Sequence, residues 1–397
     1  MPGDPKSKLG ILNNIMRKTV DRYIQRHIRE DLQRKMVFVG GPRQVGKTTL
    51  ARCLLRAPGT NGAYFNWDHD EDRRDMLAKK WGPQNGTLVF DEIHKYPRWK
   101  NWIKGVFDIE RERHQILVTG SARLDVFRQG GDSLLGRYHY WRLHPFTLDE
   151  IPKGFEKEEV INRLMTVGGF PEPFLDGDER EARRWRRDRL DRVVMEDIRD
   201  LEPVRSLQLI RLLVDQLRTR VGGLVTIANI AAELEVAHKT IKNWLEILER
   251  LYLLFTVRPH THSIARAVLK PPKVYFFDNA DVLGGEGARF ENLVATGLLK
   301  RLHFLADRDG YRWELRHIRD KEGREVDFAV VKEGRVEELI EVKVSDDKIS
   351  QSLSYYAERL QPRKAIQIVK NCKRPYRKNR LSVLDPTEYF TGLPDLE

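Results

Sequence analysis

A glycine-rich loop with a lysine and two threonines lies between an apolar run and a helical pattern. Residues 41–48 read Gly-Pro-Arg-Gln-Val-Gly-Lys-Thr, which fits the pattern GxxxxGK[ST]. Such loops bind phosphate because their backbone N–H groups surround it and the next helix directs its positive dipole end toward it. We expect Lys47 to contact the β and γ phosphates and the Thr48 hydroxyl to bind magnesium. The full set of loop residues expected at the nucleotide is Gly41, Pro42, Arg43, Gln44, Val45, Gly46, Lys47, Thr48 and Thr49.

Two carboxylates follow a second apolar run. Residues 88–90, Leu-Val-Phe, are followed by Asp91 and Glu92. In a parallel sheet this position is the carboxyl edge, where ligands bind. We expect Asp91 to hold a magnesium ion with its water and Glu92 to act as the general base that polarises the attacking water. Together with the loop, these residues predict ATP hydrolysis with ATP and Mg²⁺ as cofactors.

Small polar residues follow a third apolar run, residues 116–118. Either Ser121 or Thr119 is expected to sense the γ phosphate from this edge. Arg137 is the candidate for an arginine finger that reaches the ATP of a neighbouring subunit. Two other arginines compete for that role, and they are Arg123 and Arg142.

A second set of charged residues lies near the C-terminus. Asp327 is on one strand-like run, and Glu341 and Lys343 are on the next. Alternation along a strand places Glu341 and Lys343 on one face, and a neighbouring strand can present Asp327 beside them. Asp327 and Glu341 could bind magnesium, while Lys343 could orient or deprotonate a water near a phosphodiester. The alternative is the ordinary solvent face of an amphipathic strand.

Short apolar runs alternate with helical patterns in the first part of the chain. The predicted strands are residues 36–39, 63–65, 87–90 and 115–118. This alternation predicts an α/β fold with a parallel sheet, helices on both faces and the loop at a strand end. We assign it to residues 1–145, and the helical pattern that follows, residues 146–203, to a helical lid.

Residues 204–270 have a different pattern, with apolar residues at helical spacing and a break at residues 235–238. A helix, a turn and a second helix can enter the major groove of DNA. We expect a winged-helix-like domain with Lys239, Lys242 and Asn243 near the exposed start of the second helix. A plain helical linker bundle is the alternative. Residues 271–397 are assigned to a separate α/β domain, with a helix at 290–301 and strands at 273–277, 311–316, 325–331 and 338–344.

The chain is long and basic. Its 397 residues suggest two or three domains, and its formal net charge of +12 favours a polyanionic partner such as nucleic acid. Residues 180–192 are rich in arginine, and residues 363–380 contain no acidic side chain. Either basic run could instead be a solvated face.

The cysteines and the hydropathy pattern restrict the class of protein further. Cys53 and Cys372 are the only cysteines and lie far apart in sequence. We therefore expect neither a disulfide framework nor a zinc site. No apolar stretch approaches the roughly 18 residues of a membrane span. We expect a cytoplasmic protein with no membrane partner.

Several runs resemble, in this order, prokaryotic AAA-type ATPases. They are GGPRQVGKTTL, LVFDEIHKYPRW, VTGSARLDVF, LLGRYHYWRLHPFTLDE and GGFPEP. That group carries a C-terminal domain related to archaeal Holliday-junction resolvases, which have a restriction-endonuclease-like fold. The resemblance implies nucleotide binding, a homo-oligomer and a D…ExK nuclease centre. Glu291 matches the acidic residue on the first helix of that centre, so the implied catalytic set is Glu291, Asp327, Glu341 and Lys343.

Three hypotheses follow. The first is an ATPase that binds DNA and remodels or processes a branched or broken substrate, with a magnesium-dependent nuclease as a further activity. The second is an ATP-gated switch or scaffold for a protein partner, in which the nuclease-like domain is inactive. The third differs from the first only in acting on RNA.

Overall fold

The computed structural model describes residues 21–56, 61–82, 86–120, 134–150, 155–198, 207–261 and 270–391. These residues divide into two compact units. The first contains the described residues up to His144, and the second contains residues 145–150 and the described residues from Phe155 onward. The expected domain boundaries at residues 203 and 270 therefore both fall within the second unit.

The first unit is a parallel sheet with helices packed against it. Its strands are ordered β2-β3-β4-β1-β5, and every neighbouring pair among them is parallel. The strands are β1 (Met36–Gly40), β2 (Gly62–Asn66), β3 (Gly86–Asp91), β4 (His114–Thr119) and β5 (Tyr138–Arg142). The helices are α1 (Gln25–Leu32), α2 (Lys47–Leu55), α3 (Asp70–Ala78) and α4 (Trp99–Glu110). The predicted parallel α/β fold is thus confirmed.

Strand β5 was missed by the sequence pattern. It lies at the edge of the sheet beside β1, and only two of its five residues are buried. A half-exposed strand rich in polar and aromatic side chains lacks the continuous apolar run of a central parallel strand. In contrast, β1 is fully buried, which explains why residues 36–39 could be predicted.

The second unit begins with helices. They are α5 (Lys157–Thr166), α6 (Pro171–Asp176), α7 (Glu179–Arg192), α8 (Leu207–Arg218), α9 (Ile227–Glu233) and α10 (His238–Arg250). A π-helical segment, Val193–Ile198, follows α7 directly. The Asp178 carboxylate caps α7 by accepting hydrogen bonds from the N–H groups of Arg180 and Glu181. The expected arginine-rich helix and the helix, turn and helix are present in this region.

A mixed sheet forms the rest of the second unit. Its order is β12-β13-β11-β10-β9-β8-β6-β7. The strands are β6 (Leu254–Pro259), β7 (Lys273–Phe276), β8 (Trp313–Arg319), β9 (Glu325–Lys332), β10 (Arg335–Lys343), β11 (Lys364–Val369), β12 (Tyr376–Lys378) and β13 (Leu381–Leu384). The helices are α11 (Glu286–Asp309), α12 (Gln351–Leu360) and α13 (Pro386–Thr391).

The strands that follow α10 join this same sheet. β6 pairs with β7 in antiparallel and with β8 in parallel orientation, through Arg258↔Arg316 and Pro259↔His317. An isolated bridge also links Leu224, between α8 and α9, to Lys273 on β7. The helices of residues 207–250 are therefore connected to the C-terminal sheet through β6 and β7.

Helix α11 is the longest helix among the residues that the structure describes, and it crosses the core of the second unit. Its Lys300 side chain is fully buried and its Nζ atom lies 3.0 Å from Asp149 Oδ2 and 2.8 Å from Glu150 Oε2. The next residue, Arg301, pairs with the buried carboxylate of Glu338. No helix in the described ranges is long and apolar enough to cross a membrane.

Candidate nucleotide site and carboxylate cluster

The glycine-rich loop connects β1 to α2 and requires two of its glycines. Gly41 has φ +136°, and a Cβ atom there would lie 2.3 Å from the carbonyl oxygen of Leu143. Gly46 has φ +97° and is the residue directly before α2. A side chain would strain the backbone at both positions and would collide with β5 at the first. The loop therefore takes this path because glycine is present at both ends.

Lys47 is held over the loop. Its side chain is largely buried, and its ammonium donates hydrogen bonds to the carbonyl oxygens of Gly41 at 3.0 Å and Pro42 at 2.5 Å. Lys47 is also the first residue of α2, so its charge lies beside the positive end of the helix dipole. Two positive features at one point give the strong anion preference that phosphate binding requires.

The Asp91 carboxylate accepts hydrogen bonds from three hydroxyl groups. Oδ2 accepts hydrogen bonds from Thr48 at 2.8 Å and Tyr64 at 2.5 Å, and Oδ1 accepts one from Thr119 at 2.6 Å. Parallel pairing explains this convergence, because Asp91 at the end of β3 is in register with Thr119 at the end of β4. The structure thus brings together the two predicted magnesium ligands, Thr48 and Asp91.

Glu92 follows Asp91 with a left-handed backbone, φ +58°. Positive φ is uncommon for residues with side chains and marks stored strain, which is frequent at functional sites. Its N–H donates to the Thr119 carbonyl oxygen at 2.9 Å, which fixes the turn. Burial raises the pKa of the Glu92 carboxyl above its ordinary value, although Lys95 and Lys47 act in the opposite direction. Glu92 is thus suited to accept a proton.

The sequence pattern missed three residues that hold this site. The buried Arg22 side chain donates to the carbonyl oxygens of Val45 at 3.0 Å and His144 at 2.5 Å, which ties the loop to the end of β5. Tyr64 contacts Asp91, as described above, and Tyr23 donates to the Arg142 carbonyl oxygen at 2.5 Å. The position of Tyr64 near the end of β2 was a usable signal. Arg22 and Tyr23 precede the first predicted strand, and no sequence pattern indicates their role.

The remaining predicted residues of the nucleotide site lie in different places. Thr119 contacts Asp91 directly, so it orients that carboxylate. Arg137 precedes β5 at the amino-terminal edge of the sheet, where its Nε atom lies 2.9 Å from Asp108 Oδ1. Arg142 pairs with Gly40 at the opposite edge, beside the loop. Ser121 and Arg123 lie outside the described residues.

This arrangement fits a nucleotide with a magnesium ion. The phosphates would contact the N–H groups of the loop and the Lys47 ammonium, and the metal ion would contact the hydroxyl of Thr48. Asp91 would act on that ion through its buried, hydroxyl-bound carboxylate. Oxygen ligands of this kind are those that magnesium prefers. Glu92 comes from the same turn, at the edge of the sheet where the γ phosphate would lie.

The predicted C-terminal centre is only partly assembled as expected. Glu341 and Lys343 are on one face of β10, and Glu341 Oε1 lies 2.8 Å from Lys343 Nζ. Asp327 is on β9 and accepts a hydrogen bond from the Val342 N–H at 2.9 Å. Glu291 is on α11 and accepts one from the Tyr275 hydroxyl at 2.6 Å. Burial, followed by the charge of Asp327, raises the pKa of both Glu291 and Glu341 above the ordinary value of a glutamate.

A lysine that the sequence pattern did not indicate lies among these carboxylates. Lys273 Nζ is 2.6 Å from Glu325 Oε1, 3.3 Å from Asp327 Oδ1 and 3.4 Å from Glu291 Oε1. We call Lys273, Glu291, Glu325 and Asp327 the Lys273 cluster. Within the part of the chain that the structure describes, no group of three or more His, Cys, Asp and Glu side chains is arranged to hold a metal ion. The Lys273 ammonium thus lies at Asp327, one of the two residues at which a magnesium ion is expected.

The basic surfaces differ in how far their charge is already neutralised. On α7 the side chains of Arg183, Arg184 and Arg187 pair with neighbouring acids, and Arg189 is buried against Asp281 at 3.5 Å. On α10 the side chains of Lys239, Lys242 and Asn243 are exposed, as expected. Residues 373–380 around β12 are also exposed and basic. The surface ion pairs within α7 are Arg183–Glu179, Arg184–Glu181 and Arg187–Asp188, and Asp191 of α7 pairs with Arg211 of α8.

Family models cover most of the chain in three parts. Residues 33–152 match the model of the AAA domain. This match covers the glycine-rich loop and all five strands of the first unit. Residues 158–281 match a domain of unknown function, DUF8612, and residues 286–389 match another, DUF4143. The boundary between these two matches lies between β7 and α11.

Two uncharacterized proteins, one of Mycobacterium tuberculosis and one of Mycobacterium bovis, are each 26% identical to this chain over 275 residues. The match covers 69% of this chain and 57% of each relative. An uncharacterized protein of Methanocaldococcus jannaschii is 25% identical over 312 residues, which cover 66% of this chain and 64% of the relative. The chain thus spans little more than half the length of the first two relatives.

A comparison with solved structures also gives distant matches. The Orc1 protein of Aeropyrum pernix in complex with DNA has 15% identity and a TM-score of 0.34, covering 72% of this chain and 97% of its own. The RuvB Holliday junction branch migration motor of Thermotoga maritima has 16% identity and a TM-score of 0.31, covering 64% and 89%. Scores this low do not establish a common fold over the whole chain.

Proposed function

We propose that this protein hydrolyses ATP in its first unit and binds DNA through its second unit. The observation that carries the first part is the Asp91 carboxylate, which Thr48, Tyr64 and Thr119 orient beside Glu92 and the Lys47 loop. The three hydroxyl groups fix the orientation of this carboxylate at the edge of the sheet. In that orientation it would act on a metal ion bound to the phosphates at the loop.

Each residue has one role in the proposed reaction. Lys47 and the loop N–H groups would hold the β and γ phosphates, and Thr48 and Asp91 would hold a magnesium ion, whose charge would offset that of the phosphates. Glu92 orients and polarises the attacking water. Arg137 would act on the ATP of a neighbouring subunit in a homo-oligomer, which would require its Asp108 ion pair to open.

The DNA-binding part rests on the helices of residues 207–250 and on charge. Helices α8, α9 and α10 are followed by the antiparallel β6 and β7, and an isolated bridge pairs Leu224 with Lys273. This order of elements supports a winged helix whose last helix, α10, would enter the major groove. Exposed Lys239 and Lys242 on α10 supply phosphate contacts, and the exposed basic residues around β12 supply others.

Cleavage of DNA is not part of the proposal, because a lysine ammonium lies among the carboxylates that would bind the metal ion. ATP turnover would instead remodel branched or broken DNA. The competing function is an ATP-gated switch for a protein partner, and an RNA substrate is the other alternative. The titration below, repeated with RNA of the same length, separates these three.

Replacing both exposed lysines of α10 tests the DNA interface. We expect Lys239→Glu/Lys242→Glu to weaken binding to a fluorescent branched duplex by about tenfold or more, and to reduce the slope of log K against log salt by about 2. The matched control is Lys79→Glu/Lys80→Glu, which makes the same charge change on exposed residues of the first unit. If the wild type did not bind DNA, or if both double variants lost the same amount of affinity, the proposed interface would be contradicted.

A further inference from the structure

We propose that Lys273 takes the place of a divalent cation in the Lys273 cluster, and that the cluster is a metal-independent latch that fastens β7 to α11 and β9. Glu291 and Asp327, two residues of the expected nuclease centre, would then belong to an internal ion-pair network, a role that no resemblance or family match assigns to them. Three features of the cluster support this: the Lys273 ammonium lies among its carboxylates, it joins separate elements of the second unit, and it is buried.

Five of the six carboxylate oxygens of the cluster face donors of the chain. The Lys273 side chain is 2% exposed, and its three N–H groups match three carboxylates at 2.6, 3.3 and 3.4 Å. Glu291 Oε1 also accepts from Tyr275, Asp327 Oδ2 from Val342, and Glu325 Oε2 from Arg319 at 2.8 Å. The carboxylates are therefore paired with cations and polar hydrogens of the chain itself.

A magnesium ion cannot share this position with the ammonium. Magnesium needs oxygen ligands at about 2.0–2.1 Å in octahedral geometry. The ammonium lies within hydrogen-bonding distance of the same oxygens, and two cations so close together in a buried place repel strongly. Glu341, the other expected ligand, lies beside Lys343 instead of Lys273. Metal binding among the three carboxylates of the Lys273 cluster would thus require Lys273 to leave a buried position.

The cluster joins elements that are far apart in sequence. Lys273 is on β7, which pairs with β6 and bridges to Leu224 beside the helices of residues 207–250. Glu291 is on α11, and Glu325 and Asp327 are on β9. A Cβ atom at Gly222 would lie 2.8 Å from Glu291 Oε2, so the chain between α8 and α9 also passes close to this carboxylate. The latch would therefore fix the helix-turn-helix segment on the C-terminal sheet.

Two measurements on the full chain test the latch. The first is isothermal titration calorimetry of Mn²⁺ alone into the wild type and into Asp327→Asn. We expect no Mn²⁺ binding that depends on Asp327 at millimolar concentration. Binding by the wild type that disappears in Asp327→Asn would overturn the proposal, whatever the stability of any lysine variant.

The second measurement is thermal unfolding of Lys273→Met. Loss of the ammonium leaves three carboxylates without their shared cation, and we expect the melting temperature to fall by roughly 6–20 °C. Lys273→Arg should recover part of this loss, and Lys270→Met, at an exposed lysine on the preceding segment, should change little. A Lys273→Met protein that melts with the wild type would also overturn the proposal.

Discussion

Glu92→Gln is expected to slow ATP turnover by about 10²–10⁴-fold while leaving nucleotide binding nearly unchanged. The amide cannot accept a proton from water, but it has the same size and keeps the backbone turn whose N–H donates to the Thr119 carbonyl oxygen. The ATP phosphates would still contact the loop and Lys47. Single-turnover hydrolysis and titration with a fluorescent ATP analogue measure the two quantities separately.

The matched control is Glu71→Gln, the same chemical change at an exposed position of α3. It should leave both turnover and binding at the wild-type level. If Glu92→Gln hydrolysed ATP at the wild-type rate, Glu92 would not be the base, and a role in orienting Lys95, 3.5 Å away, would remain for it.

Lys300→Met is expected to destabilise the second unit by about 3–5 kcal/mol, which lowers its melting temperature by roughly 6–20 °C. The lysine side chain is fully buried with the carboxylates of Asp149 and Glu150, whose side chains are only 3% and 7% exposed. Methionine fills a similar volume but leaves these two negative charges without their cation. Thermal unfolding followed by circular dichroism measures the loss.

Two further variants test the cause of that loss. Lys300→Met/Glu150→Gln should recover part of the stability, because only one charge remains unpaired. Lys321→Met, at an exposed lysine, should change the free energy of unfolding by less than about 0.5 kcal/mol. Equal losses in Lys300→Met and in the double variant would show that packing, and not charge, holds this part of the core.

The nucleotide site could be predicted because its chemistry is local in sequence. The loop needs glycine at residues 41 and 46 for its backbone path, Thr48 lies in the first turn of α2, and Asp91 is the last residue of β3. Parallel strands bring their carboxyl ends to one edge, so the meeting of Asp91 with Thr119 follows from the strand pattern alone. The support from Arg22 depends on a contact across 122 residues to His144, and no periodicity encodes it.

The C-terminal centre shows where such reasoning fails. Strand alternation correctly placed Glu341 beside Lys343, since both are on β10. The neighbour that changes the chemistry of Asp327 and Glu291 is Lys273, which lies 54 residues before Asp327 on a strand predicted without any functional residue. The spacing of residues shows which acidic side chains are present. It does not show which cationic side chain, distant in sequence, packs between them. The same limit hid the partners of Lys300, which precede it by about 150 residues.

The most direct test of the account is magnesium-dependent ATP hydrolysis by the purified full chain, compared with Lys47→Ala. The account predicts turnover by the wild type and a loss of roughly 10²-fold or more in the variant, because the charge that holds the β and γ phosphates is removed. The two proteins should unfold at similar temperatures. Equal turnover in both, or no binding of ATP by the wild type, would contradict the assignment of this site.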